Sequence, residues 1–461
     1  MRCVSRTRAQ QLIAAPLVIC LIAAWAVAGF SSAGASVTRT SAVASARSLA
    51  SGTGCVKGTA QGVTSSTVTI AITVVDITGG SLSNATVGVP SATVQEDYWN
   101  AVARSINSAG GAGCRKLKLS FTDVNPIDAA GAQQACLSIA SSHPFMVLDV
   151  GALSDVNASN CIPAAKVPFA SQYITPSQLK QYYPYYLSLP DLATGQLQTS
   201  VLALGKLGYF KASKGFKKLG VLYDTCDPSL IVTERSALKQ AGVPTSKIVY
   251  FNLGCPAGQV FTPASMQQAV LSFKNGGVSD VTSAGAGSAA SVFTEVAAQQ
   301  NYKPMYLLAS DEVDLPNASG ADAVNYANLN GAVNAATVAY GEQSAPGFVP
   351  SGGTKKCNKI LQAAGYPTVY KSLDGYGGVA CNYLWFVQGI LNHATSLQPS
   401  KLPAALHAVG TIVYSYPFAP VNYAAAPKGA PYGRSYWRVE TFVSSCKCWH
   451  IPNPGFTPPF T

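Results

Sequence analysis

From Val68 onward, short β-branched runs alternate with amphipathic stretches of helical length, and that alternation most constrains the fold. Residues 68–75 (Val-Thr-Ile-Ala-Ile-Thr-Val-Val) read as a strand covered on both faces. A helix over 93–108 follows, with Val94, Tyr98, Ala101, Val102 and Ser105 on one stripe. Residues 116–122 alternate as a second strand, Asp128 opens a helix through Ala140, and strands are expected over 144–149 and 167–170. Short connections between such elements imply a parallel, right-handed, doubly wound sheet. The pattern restarts with helices over 194–207, 229–241, 264–274 and 288–299, and strands over 218–223, 247–251, 278–283 and 304–308. The fold class is therefore α/β, with two tandem Rossmann-like units. Later elements are a strand near 330–338, helices over 379–393 and 403–409, and a strand pair near Ile412 and 437–442. They are too few for a third unit and are expected to complete the first two by crossing back.

The start of the chain points to export. Arg2, Arg6 and Arg8 precede an apolar run over 12–28, then Ala33-Gly34-Ala35, which is the order of a secretory signal cleaved after about residue 35. The alternative is an uncleaved signal-anchor helix over 12–30. Residues 36–66 are rich in Ser, Thr, Ala and Gly and read as a flexible leader. Setting aside Cys3 and Cys20 leaves ten of the 12 cysteines, an even count that in an exported chain reads as disulfides. With no C-x-x-C and four histidines, no metal is expected. Cys446-Lys447-Cys448 beside His450 fits a soft metal, a local bridge or two separate bridges.

Charge and motifs narrow the function. The formal charge is +11, yet no basic run interleaves with aromatics, and the densest cluster is Lys214, Lys217 and Lys218, so a nucleic-acid partner is not expected. There is no G-x-S-x-G elbow, H-E-x-x-H or P-loop, which removes the common hydrolases of α/β sheets. Gly285-Ala-Gly287-Ser-Ala-Ala290, with Asp311 and Glu312 further on, has the spacing of a dinucleotide fingerprint. Any β-α-β unit needs a small-residue turn there, and export weighs against a soluble nicotinamide, so no cofactor is expected. Asp76, Asp123, Asp149, Asp224 and Asp311 each sit at a strand's C-terminal end, where doubly wound sheets bind ligands, although helix caps and turns use the same residues. Asp128 and Asp227 are read as caps. Among the clustered Tyr173, Tyr182, Tyr183, Tyr185 and Tyr186, some should pack in the core and one or two should face a cleft.

Certain segments, taken in order, resemble a known family. They are Thr69-Ile-Ala-Ile-Thr73 with Thr78-Gly79-Gly80, Ala135-Cys136, Phe145-Met-Val-Leu-Asp-Val-Gly151, Lys166-Val-Pro-Phe-Ala-Ser-Gln-Tyr-Ile-Thr175, Tyr186-Leu-Ser-Leu-Pro-Asp191, Gly220-Val-Leu-Tyr-Asp224 and Pro304-Met-Tyr-Leu-Leu-Ala-Ser-Asp311. Together they resemble the branched-chain amino acid (Leu/Ile/Val-type) substrate-binding family of ABC transporters, which has the type I periplasmic binding protein fold. The resemblance implies two lobes joined by hinge crossovers: 67–190 with 328–410, and 191–327 with 411–445, followed by a tail over 446–461. It also implies that the first lobe receives a solute carboxylate on the loops Gly151, Leu153 and Ser154, and Ser171, Tyr173 and Thr175. The second lobe offers Tyr223, Asp224, Gly285, Gly287 and Ser288, with Asp311 or Glu312 suited to an ammonium. Leu153 stands where the family often has Ser, and Ala286 where an aromatic is common.

On that fold Cys226 and Cys255 follow neighbouring parallel strands and are expected to pair. Cys136–Cys161 has a family parallel, Cys55–Cys114 and Cys357–Cys381 are further expected pairs, and Cys446–Cys448 remains by elimination. The expected function is a secreted, non-enzymatic, monomeric binder of a small polar solute (amino acid, amide or short carboxylate) that serves an ABC permease. A sensor ectodomain of the same fold, or a secreted enzyme of unplaced chemistry, is the alternative.

Overall fold

The computed structural model describes residues 55–56, 58–77, 84, 89–153, 159–172, 174–255, 261–285, 289–309, 324–339, 342–368 and 375–460. The proposed signal at 1–35 lies outside them. A five-stranded parallel sheet is built from β1 (Thr67–Val75), β2 (Lys116–Val124), β3 (Met146–Asp149), β4 (Phe169–Ser171) and β5 (Tyr186–Ser188), in the order β2-β1-β3-β4-β5. A seven-stranded sheet repeats that order with β6 (Leu219–Tyr223), β7 (Ile248–Asn252), β8 (Asp280–Ala284), β9 (Met305–Leu308) and β10 (Val333–Ala336), as β7-β6-β8-β9-β10. β14 (Arg438–Val443) and β15 (Cys448–His450) extend it with antiparallel pairing. The continuous Val/Ile runs behave as expected of strands covered on both faces: β1 is buried from Ile70 through Val75.

Of the ten longer helices among the described residues, five begin with a side-chain cap, at Asp128, Thr175, Asp227, Thr262 and Ser351. The ten are α1 (Ala92–Ser108), α2 (Ala129–Ser141), α3 (Pro176–Tyr182), α4 (Ala193–Lys206), α5 (Pro228–Gln240), α6 (Pro263–Asn275), α7 (Ala289–Gln299), α8 (Gly352–Ala363), α9 (Tyr376–His393) and α10 (Leu402–Val409). Asp128 accepts from the Gly131 N–H and Asp227 from the Ser229 N–H, the capping roles read from sequence. Thr175-Pro-Ser-Gln178 and Thr262-Pro-Ala-Ser265 form capping boxes with Pro at the first helical position. α9 is buried almost all round and packs its Tyr383 ring edge-on to Trp99 of α1, 5.9 Å away. Among the described residues no helix is long and apolar enough to cross a membrane.

Several boundaries differ from the sequence reading. The described end of the leader, 55–56 and 58–66, is held in place: Arg115, itself buried, donates to the carbonyls of Val56 (2.6 Å), Gly58 (2.9 Å) and Thr64 (2.9 Å), and Cys55 is bonded to Cys114. Gly62, at φ 69°, passes so close to the 144–145 backbone that a Cβ would lie 2.1 Å from the Phe145 nitrogen. The sequence pattern places residues 333–336 with the first lobe, whereas β10 pairs with β9 in the second sheet. The strands near Ile412 and 437–442 do not pair with each other. β11 (Thr411–Ile412), β12 (Val421–Asn422) and β13 (Arg434–Ser435) make a small antiparallel sheet, while β14 joins β10. The tail is docked, with Phe460 stacked on Trp437 at 5.6 Å and Thr457 bridging to Trp437. All five expected disulfides are formed.

Candidate functional site

In both sheets the order reverses beside the first strand, between β1 and β3 and between β6 and β8, and such switch points open a crevice at the strands' C-terminal ends. Three segments connect the sheets: 189–192 from β5 to α4, 337–351 from β10 to α8, and 410–437 from α10 to β14. The first two leave their sheets at C-terminal strand ends, so the hinge lies at the same edge as both switch points. The segments are stitched together. Ala339 N–H donates to the Pro417 carbonyl (2.6 Å), Ser188 N–H to Pro431 (2.8 Å), and the Tyr423 hydroxyl to the Leu189 carbonyl.

Asp191 and Arg434 form an ion pair within this hinge, 3.5 Å apart, with Asp191 fully buried and Arg434 partly exposed. Burial outweighs the guanidinium and pushes the Asp191 carboxyl up to about 6. Because this folded value exceeds the unfolded one, the stability it contributes is complete below about pH 4 and is lost as pH rises through about 6. Asp191→Asn is expected to flatten the decline between pH 4 and 7 by on the order of 2 kcal/mol, measured by urea denaturation at each pH. An unchanged pH profile would contradict this.

At the first sheet's edge the centre is Asp149, the last residue of β3 and fully buried. Its carboxylate accepts from the Thr73 hydroxyl (2.6 Å), the Leu153 N–H (3.0 Å), the Gly151 N–H (3.2 Å) and the Ser171 hydroxyl (3.5 Å). Its own carbonyl accepts from the Tyr383 hydroxyl of α9 (2.7 Å). Burial raises the carboxyl above its ordinary range, while these donors lower it. The expected loop residues Gly151, Leu153 and Ser171 are thus brought together, but around an internal carboxylate. The N–H groups of Gly151 and Leu153, expected to meet a solute, are already engaged. The Leu153 side chain is buried in an apolar cluster with Ile162 and Ile174. The Thr175 hydroxyl caps α3. Ser154 and Tyr173 lie outside the described residues.

At the second edge Tyr223 closes β6 opposite Ala284 of β8, which places Asp224 beside Gly285. Asp224 is buried and accepts from the Cys226 N–H (2.9 Å), within the turn that leads to the Cys226–Cys255 bond. Tyr223 is half-buried, edge-on to Tyr250 at 6.3 Å. Gly285, at φ 85°, allows a turn in which a Cβ would sit 2.5 Å from Leu230 Cδ1. Gly287, Ser288, Asp311 and Glu312 lie outside the described residues. Of the clustered tyrosines, Tyr186 is core, edge-on to Phe169 and Tyr182, while the exposed Tyr183 reaches the Gly429 carbonyl (3.3 Å). Sequence reasoning gives no site role to Thr73, Tyr383, Asp191 or Arg434. The signal available was Asp149 itself, an acid ending an apolar strand. No group of His, Cys, Asp and Glu among the described residues could hold a metal ion.

Solved structures share this fold. An ABC transporter substrate-binding protein from Desulfitobacterium hafniense, in complex with Leu, is 12% identical with a TM-score of 0.54, covering 84% of this chain and 99% of that one. A fatty acid ABC transporter substrate-binding protein from Thermomonospora curvata is 17% identical with a TM-score of 0.55, covering 86% and 94%. A solute-binding protein of an ABC transporter from R. palustris, in complex with 4-hydroxybenzoate, is 13% identical with a TM-score of 0.54, covering 86% and 96%. The fold is that of a type I periplasmic binding protein. No protein-family model matches the chain, and no curated protein matches it. Within the type I periplasmic binding protein fold, the Asp149 and Tyr223–Gly285 clusters are the C-terminal strand edges of the two lobes.

Proposed function

We propose that this chain is an exported solute-binding protein. It captures a small molecule bearing a carboxylate (an amino acid, an amide-bearing acid or a short carboxylate) between its lobes and delivers it to an ABC-type permease. The observation that carries the reading is the pair of identically ordered sheets, hinged at the edge where both switch points open. Leu, fatty acids and 4-hydroxybenzoate, named for three proteins of this fold, share a carboxylate. Five disulfides fit an oxidising compartment. Capture requires no bond to be made or broken. A solute touching both rims stabilises the closed arrangement of the lobes, and the permease reads that arrangement.

The test is a thermal-shift screen of amino acids, amides, short carboxylates, hydroxybenzoates, fatty acids and sugars against the purified protein. A true ligand at 100 times its Kd adds about 2.7 kcal/mol to stability, which raises Tm by several degrees. Mass spectrometry must recover the bound compound unchanged. Stabilisation by sugars alone would overturn the ligand class, and recovery of a converted compound would overturn the non-enzymatic reading.

A further inference from the structure

Ser444, Ser445, Cys446 and Lys447 form the turn of the β14–β15 hairpin, and Cys446 is bonded to Cys448 across one residue. The other four bridges span 24 to 59 residues. A bridge restricts the unfolded chain in proportion to the logarithm of the loop it closes, so this one contributes least to the fold. The linkage is reciprocal: the fold in turn contributes least to keeping this bridge oxidised. The hairpin has other supports. Thr441, Phe442 and Val443 pair with His450, Trp449 and Cys448, Trp449 is buried edge-on to Phe442 at 5.4 Å, and the Ser444 N–H donates to the Asn330 side chain (2.9 Å). Access is one-sided, with Cys446 exposed in the turn and Cys448 buried at the start of β15. Lys447 separates the two cysteines in sequence, and its ammonium lies over the Tyr326 ring at 4.7 Å.

We propose that Cys446–Cys448 is a reversible thiol–disulfide exchange site that accepts electrons from an external dithiol while the other four bridges remain closed. One thiolate of the dithiol attacks the Cys446 sulfur, the Cys446–Cys448 bond breaks, and Cys448 leaves as thiolate. The second thiolate of the dithiol then attacks its own sulfur in the mixed disulfide and releases the Cys446 thiolate. The products are one oxidised dithiol and the reduced Cys446/Cys448 pair, and each released thiolate takes up one of the two protons given up by the dithiol.

The full chain is equilibrated under native conditions over a range of dithiothreitol concentrations, approached from both the oxidised and reduced sides. It is then quenched with acid, alkylated and peptide-mapped. Cys446 and Cys448 are expected to become alkylated at a dithiothreitol concentration at least tenfold lower than any other pair, with Tm unchanged within about 2 °C. Reduction together with or after the Cys55–Cys114 or Cys226–Cys255 bridges overturns the proposal. With oxidised glutathione, the Cys448→Ser variant is expected to form a mixed disulfide at Cys446, and the Cys446→Ser variant to leave Cys448 unmodified. The reverse labelling overturns the assigned direction of attack.

Discussion

Replacing Arg438 with Met is expected to lower stability by about 3–5 kcal/mol, measured by urea denaturation followed by circular dichroism. Arg438 is buried on β14 and its guanidinium donates to both carboxyl oxygens of Glu342, in the second hinge segment, and to the Pro454 carbonyl (3.0 Å). It also covers the Phe456 ring at 4.2 Å. Two residues along the same strand face is Glu440, fully buried, opposite Asn334 of β10. Among the described residues, neither the Glu440 carboxyl oxygens nor the Asn334 amide finds a hydrogen-bond partner. Burial raises Glu440 well above the ordinary carboxylate range, with the Arg438 charge opposing it. Removing the guanidinium leaves the buried Glu342 carboxyl without its two donors and takes one hydrogen bond from the docked 451–460 segment. Adding Glu342→Gln to the Arg438→Met variant is expected to recover part of the loss, because one stranded carboxylate is then neutral. A loss under about 1 kcal/mol would show that the pair only balances its own desolvation.

Asp149→Ala is expected to weaken solute binding at least 100-fold and to cost about 2–4 kcal/mol of stability. One carboxylate anchors the Gly151–Leu153 turn and joins β1, β3 and β4 through Thr73 and Ser171. Without it, two N–H groups and two hydroxyls lose their shared acceptor at the rim of the proposed cleft. Asp149→Asn keeps one acceptor oxygen and is expected to retain more of both properties, and Thr73→Val should have the smallest effect of the three. Calorimetric titration separates the readings. Affinity within threefold of wild type, alongside lowered stability, would make Asp149 a support of the fold alone and remove the first-lobe loops from recognition.

The parallel sheets were legible because their strands are continuous apolar runs and their helices carry explicit caps, as at Asp128, Asp227 and Thr262. The sheet that β10 joins is not legible in the sequence, because Val333–Ala336 can be buried in either setting and only its pairing with β9 and β14 decides. The two-residue strands β11 to β13 have no period to read. The 55–66 stretch looked flexible because its anchors are carbonyls, which every sequence has, and the reader of those carbonyls, Arg115, lies about fifty residues away. At the site, sequence placed Gly151, Leu153 and Ser171 at one rim but assigned their donors outward. Nothing in composition tells whether a strand-end acid will turn inward, and Asp149 does so because Thr73 and Ser171 stand on the neighbouring strands in register with it.

The seven-stranded sheet takes β14 and β15 from positions 438–450, and the five-stranded sheet, although its strands are all made by residue 188, is covered by α9 from 376–393. A ribosome must therefore have delivered the chain as far as about residue 393 before the first half can bury its apolar faces, and as far as about residue 450 before the second can. Completion of each half is deferred to late in synthesis, which keeps the growing polypeptide open over most of its length.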